Sequence, residues 1–244
     1  MKYALLTTAL LCASTVYAVP IGTLDVAGSG NVRISATAID FGPFGGGTGD
    51  FFVTSGTVAF ASLTPGTEGE ITDLNIATAP PGATLATPIN PFIVLPNFTF
   101  DLRKINLGGG ASCAVAPAVG YSCSPIEIVA NTPFLLTQTN TGVTVSLSLS
   151  GQVTDATGAA SYEGLFTLNF TPANQDTVPE LLSAFGPNGP GYVDSSWSAQ
   201  FTATPITAPP PPPVIPEPAT WLTMAGALLF LGGGRLAKRF RLQL

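Results

Sequence analysis

Between residues 143 and 150 the chain reads Val143-Thr144-Val145-Ser146-Leu147-Ser148-Leu149-Ser150, a strict alternation of apolar and hydroxyl side chains. In a strand successive side chains point to opposite faces, so this run buries one face and leaves a row of hydroxyls on the other. Similar runs occur at Val32 to Ile39, Phe51 to Leu63, Phe98 to Ile105, Phe134 to Gln138, Leu165 to Phe170 and Ser195 to Ala203, punctuated by Gly, Pro, Asn and Asp. About eight to ten half-buried strands of this kind predict an all-β fold, an antiparallel β-sandwich first and a barrel second. Only Val178 to Phe185, with Leu181, Leu182 and Phe185 at helical spacing after Pro179-Glu180, reads as a short helix, expected to plug one end.

The chain has no histidine, so a Ser-His-Asp or Cys-His nucleophile system and a histidine-ligated metal centre are excluded. Only 9% of its residues are charged. From Val19 to Thr207 three bases, Arg33, Arg103 and Lys104, stand against 13 acids, a formal charge of −10 that repels nucleic acid. The acids are scattered, with no D-x-[DN]-x-[DN]-G run of the kind that makes a calcium loop. Two carboxyls suffice for a glycosidase, and Glu68, Glu70 and Asp73 lie closest together, in a Gly-flanked stretch read as a loop. Gly45-Gly46-Gly47-Thr48-Gly49 lacks the Gly-Lys-Ser/Thr of a phosphate loop and reads as a turn. No cofactor is implied, and the chain is expected not to be an enzyme.

Both ends read as addresses. Residues 1–18 open with Lys2, run apolar from Ala4 to Ala13 and close on Val16-Tyr17-Ala18, the pattern of a signal peptide cleaved between Ala18 and Val19, with the Sec export machinery as partner. A lipobox ending at Cys12 would need a small residue where Leu11 stands. Residues 19–207 are then an exoplasmic domain and 208–215 a Pro-rich linker, whose five prolines Pro209 to Pro213 favour an extended spacer of about 3.1 Å per residue. Ala219 to Gly234 is an uncharged apolar stretch, about 24 Å long as a helix, which Arg235, Leu236 and Ala237 lengthen toward a single membrane span. Arg235, Lys238, Arg239 and Arg241 follow it and place the tail inside and the acidic domain outside.

Val214-Ile215-Pro216-Glu217-Pro218-Ala219-Thr220-Trp221, then the apolar stretch and the basic end, closely resemble the PEP-CTERM sorting domain of Gram-negative bacteria, over residues 216–244. The resemblance implies recognition by an exosortase, a membrane-embedded cysteine protease that processes the tail at or near Pro216, Glu217 and Pro218. The span would then be a temporary anchor in the inner membrane before release to the cell surface or extracellular matrix. A plain anchor that stays attached is the alternative. Asp40-Phe41-Gly42-Pro43 and the closing Ser196-Trp197-Ser198-Ala199-Gln200-Phe201-Thr202-Ala203 are more loosely similar to other exported domains of that family and imply no activity.

With Cys12 lost in the leader, Cys113 and Cys123 are the remaining cysteines of an oxidising compartment, and a structural disulfide between them is expected. The spacing is wrong for a CxxC redox pair, and two cysteines without histidine are too few for zinc. The expected role is a structural or adhesive component of the cell surface or matrix. The alternative is a module that binds, or weakly acts on, surface polysaccharide.

Overall fold

The computed structural model describes residues 19–206, apart from 129, 171–175 and 187. Along the chain it forms β1 Gly22–Gly28, β2 Val32–Ser35, β3 Ala38–Phe41, β4 Thr48–Gly56, β5 Glu68–Thr72, β6 Leu74–Asn75, β7 Thr84–Leu95, β8 Phe98–Ile105, β9 Ala111–Ser112, β10 Ser122–Ser124, β11 Phe134–Thr139, β12 Gly142–Thr154, β13 Ala159–Phe170, α1 Val178–Ser183, β14 Tyr192–Ser195 and β15 Trp197–Pro205. The fold is all-β, as the alternation predicts.

The alternating run is the heart of β12, whose apolar residues Val143, Val145, Leu147, Leu149 and Val153 are all buried. On one edge β12 pairs with β13 along its whole length, from Val143 opposite Phe170 to Thr154 opposite Ala159. Its other edge is shared: the first half pairs with β11 and the second half with β8. From β13 the ladder runs on through β15, β1, β4, β5 and β7 to β8, closing an antiparallel barrel of eight strands.

This corrects the sandwich expectation. Two stacked sheets would leave unpaired edges, whereas here β12 bridges β8 and β13 and the cylinder has none. Irregularities between Asp25 and Val26 and between Ser150 and Gly151 help the strands to bend round. A side chain at Gly151 would collide with the Asp101 carbonyl, so glycine is needed where β12 and β8 come closest. Alternation in sequence reports a buried and an open face, and both architectures satisfy it.

An eight-stranded barrel is just wide enough for side chains to fill it. Ring centroids step through the interior from Phe100 to Tyr162 (5.1 Å), Phe201 (5.7 Å), Phe166 (5.6 Å) and Trp197 (5.5 Å), and on to Phe41 (5.1 Å). One end is closed by a 3-10 turn, Val58–Ser62, whose Phe60 lies 4.9 Å from Phe98. At the other end lies a four-stranded sheet, ordered β14-β2-β3-β6, which contributes Phe41. Gly22 pairs with Ala203, so the first and last strands meet at the end that carries the 3-10 turn, here the near pole. Strand β8 runs away from that pole, and the segment after it lies at the far pole.

Several local expectations change. Val32 to Ile39 is two strands, because the Ser35 hydroxyl accepts from the Ala38 amide (3.0 Å) and turns the chain without Gly or Pro. Phe51 to Leu63 leaves strand geometry after Gly56. The helix is real but ends at Ser183; Thr177 and Glu180 cap it reciprocally and Pro179 sits in its first turn. Strands β1, β5, β6, β7, β9, β10 and β14 are additions, β7 being disguised in sequence by Pro88 and Pro91. Among the described residues no helix is long and apolar enough to cross a membrane. The expected span at 219–234 lies outside them.

Candidate functional site

Of the residues singled out in the sequence, Ala18, Pro216, Glu217, Pro218, Arg235, Lys238, Arg239 and Arg241 lie outside the described residues, and Val19 is half-buried at the near pole. Cys113 and Cys123 are together: their sulfurs lie 2.07 Å apart and their Cα atoms 5.0 Å apart. Both are buried, where the pair ties the segment after β9 to β10.

The three neighbouring acids are separated. Glu68 and Glu70 project outward from β5, but Asp73 lies beyond its end and accepts a hydrogen bond from the Phe41 amide (2.8 Å). Burial lifts the Asp73 carboxyl above the usual carboxylate range, the Asp40 charge adds to this, and the Phe41 amide opposes it. Asp50 takes its place beside the other two: it faces Glu70 across the ladder, while Phe52 faces Glu68. With Ser29, Val94 and Pro96 they line an open groove of about 810 Å³. The period-two pattern of β4 carries that signal, since Asp50 and Phe52 share its outer face. Among the described residues no group of three His, Cys, Asp or Glu is arranged to hold a metal.

The glycine-rich stretch is a turn, in which the Gly45 amide points at Asp40 (3.3 Å), a neighbour that repels phosphate. Nearby, Arg33 binds Asp194 with two hydrogen bonds of 2.8 Å and lies between the rings of Phe44 (4.4 Å) and Tyr192 (3.9 Å). This cation is fully engaged within the chain.

On the barrel wall the hydroxyls of β12 continue across its neighbours. Register sets Ser146, Thr167 and Ser198 in one row, and Ser150, Glu163, Thr202 and Thr23 in another. Over the second row lies a depression of about 440 Å³, bounded by Arg103, Gln152, Glu163 and Thr204. Arg103 is held there by Asp101 (2.9 Å) and by the Gln152 side-chain oxygen (2.6 Å). Tyr162 contributes to the lining, but its ring belongs to the barrel interior, and its hydroxyl is buried without a partner. Burial pushes that hydroxyl well above its ordinary pKa, with the Asp101 charge adding to the effect.

The far pole is of a different character. The segment from β8 to β11 bears Leu107, Val115, Val119, Tyr121 and Ile126, each half exposed or more. No charged residue occurs from 105 to 126. Beside it α1, β11 and the four-stranded sheet line an apolar cleft that encloses about 30 Å³.

No family model, curated protein or solved structure matches this chain. What its surfaces can do follows from their chemistry. The hydroxyl wall can hydrogen-bond a polar, uncharged ligand; the acidic groove favours a cationic one; the far pole favours an apolar, uncharged one. The sequence drew attention to the hydroxyls through their period, but it did not show that residues 107–126 carry so much exposed apolar surface, because apolar residues there look like core.

Proposed function

We propose that this is an exported surface or matrix protein with a structural or adhesive role, delivered by its leader and sorted by an exosortase acting at Pro216, Glu217 and Pro218. The reading of the tail rests on the resemblance of residues 216–244 to PEP-CTERM sorting domains. The observation in the fold that supports it is the pairing of Gly22 with Ala203. Both ends of the described domain thereby lie at one pole of the barrel, which suits a domain attached by one end. A filled aromatic interior puts the work of such a protein on its surface.

The test is to produce the chain in hosts with and without an exosortase and to determine both termini of the mature protein by mass spectrometry. A start at Val19 in both hosts, with an end between Pro216 and Pro218 only where the enzyme is present, is expected. A tail intact through Leu244 in both would make the protein a permanently anchored one.

The depression over β8, β12, β13 and β15 favours a second reading, a module for surface polysaccharide, because its rim offers Ser, Thr, Gln and Arg donors to a polyhydroxyl ligand. Selective binding to one polysaccharide on a glycan array would support it, and uniform silence would remove it.

A further inference from the structure

We propose that the depression over β8, β12, β13 and β15 is a binding site for an uncharged sugar residue, with Glu163 as its acceptor and Arg103 and Gln152 as its donors. The inference rests on the reading of that depression as a polysaccharide site, and gives it a ligand class and its contacts.

Register explains why these groups converge. Ser150 on β12 faces Lys104 on β8, but the next residue, Gly151, faces Leu102, so Arg103 is the extra residue of a bulge. The alternation of β8 breaks there, and Arg103 and Lys104 both turn away from the core. A bulge re-aims a side chain in this way, and here it brings Arg103 to the edge of the depression. Its guanidinium is then held on one side, by Asp101 from Nε and Nη2 (3.1 and 2.9 Å) and by Gln152 Oε1 from Nη2 (2.6 Å). Asp101 is fixed in turn by the Gln152 backbone amide (2.6 Å). Glu163, on β13, stands between Ser150 and Thr202 in the same ladder. The donors are thus oriented before a ligand arrives, which lowers the ordering cost of binding.

Elsewhere on the wall many polar side chains use one another. Ser122 meets Thr137 (2.7 Å), Asn106 meets Ser148 (2.9 Å), Thr144 meets Asn169 (3.1 Å), and Asp25 takes both Ser55 and Gln200. Around the depression they do not. Arg103 Nη1, Gln152 Nε2, the Glu163 carboxylate and the hydroxyls of Ser150, Ser161, Thr202 and Thr204 have no hydrogen-bond partner among the described residues. The row Ser146, Thr167 and Ser198 is also unpaired, but it carries no charged side chain.

This set of groups selects the ligand. A sugar hydroxyl both donates and accepts, a carboxylate only accepts, and a guanidinium or amide nitrogen only donates. Neighbouring hydroxyls of one sugar ring can therefore donate to Glu163 and accept from Arg103 or Gln152. The charges nearby cancel, Arg103 and Lys104 against Asp101 and Glu163, so the site offers hydrogen bonds and no net charge. An anionic polymer is repelled by the −10 of the domain, and an ammonium group by the free edge of Arg103. The one ring among the lining residues, Tyr162, belongs to the barrel interior, so no aromatic platform adds stacking. A single sugar residue is bound weakly, and repeated residues along a polymer raise the avidity.

The test uses the full-length chain recovered in detergent and four immobilised polymers: dextran and mannan, which are uncharged, alginate, which carries carboxylates, and chitosan, which carries ammonium groups. Retention on at least one uncharged polymer is expected, unchanged within about twofold when salt is raised to about 0.5 M, because no ion pair with the ligand is involved. Glu163→Gln should weaken it at least about tenfold, through loss of hydrogen bonds to a charged acceptor. Thr167→Val, in the unpaired row outside the depression, should leave it unchanged, and equal melting temperatures show that the variants keep the fold. Retention on an uncharged polymer that is indifferent to Glu163→Gln, or weakened equally by Thr167→Val, would overturn the site and leave the polysaccharide reading standing. Retention on alginate or chitosan alone, lost in salt, would overturn the ligand class and again leave that reading. No retention on any of the four would overturn both.

Discussion

Asp73 shows how one side chain is set by its neighbours. Its carboxylate accepts the Phe41 amide, but burial and the adjacent Asp40 charge outweigh that bond and raise its pKa. A folded pKa above the unfolded one, which is about 4, means that the native state holds the proton more tightly. The stability this confers is fully present below the unfolded value and is lost as pH rises through the raised one. Asp73→Asn keeps an oxygen for the Phe41 amide and removes the charge. Its melting temperature is expected to exceed that of the parent at pH 7 and to match it at pH 3, by thermal unfolding at both values. A drop at pH 7 with none at pH 3 would show that the carboxylate's hydrogen bonding outweighs its desolvation.

Among the elements, β9 and β10 depend most on a covalent tie. Each has three residues or fewer, they pair in parallel over two positions only, and their outer edge leads to the exposed far-pole segment. Such a ladder has little hydrogen bonding to set against its chain entropy, and the Cys113–Cys123 bridge closes a separation of ten residues. Replacing both cysteines by Ser should cost about 2–3 kcal/mol in denaturant unfolding, by the chain-entropy estimate for so short a loop. The barrel's circular dichroism should be retained, because its eight strands close without β9 or β10. Loss of the barrel spectrum would mean that this flap helps to organise β11 and β12.

For the molecule as a whole, closure is the governing fact. A chain with 9% charged residues and long hydroxyl-studded strands would present sticky edges as an open sheet. Pairing β12 with both β8 and β13 removes the edges of the barrel and leaves the surface to be specified by what projects from it. That surface is divided: hydroxyl rows on the wall, carboxylates over β4 and β5, and at the far pole a set of exposed apolar side chains around Glu127. The sequence by itself determined the strand class, the buried face of β12, the helix that starts at Val178, and the pairing of Cys113 with Cys123, because period, helical spacing and cysteine count are all local or compositional. It also contains the linear run Pro216-Glu217-Pro218, on which the proposed sorting rests. The tertiary structure alone decided that the strands form a barrel, that Asp50 and not Asp73 joins Glu68 and Glu70, and that Leu107, Val115 and Tyr121 face solvent. Each of these depends on which distant strand lies alongside and in what register, and alternation along a single strand is blind to its neighbours.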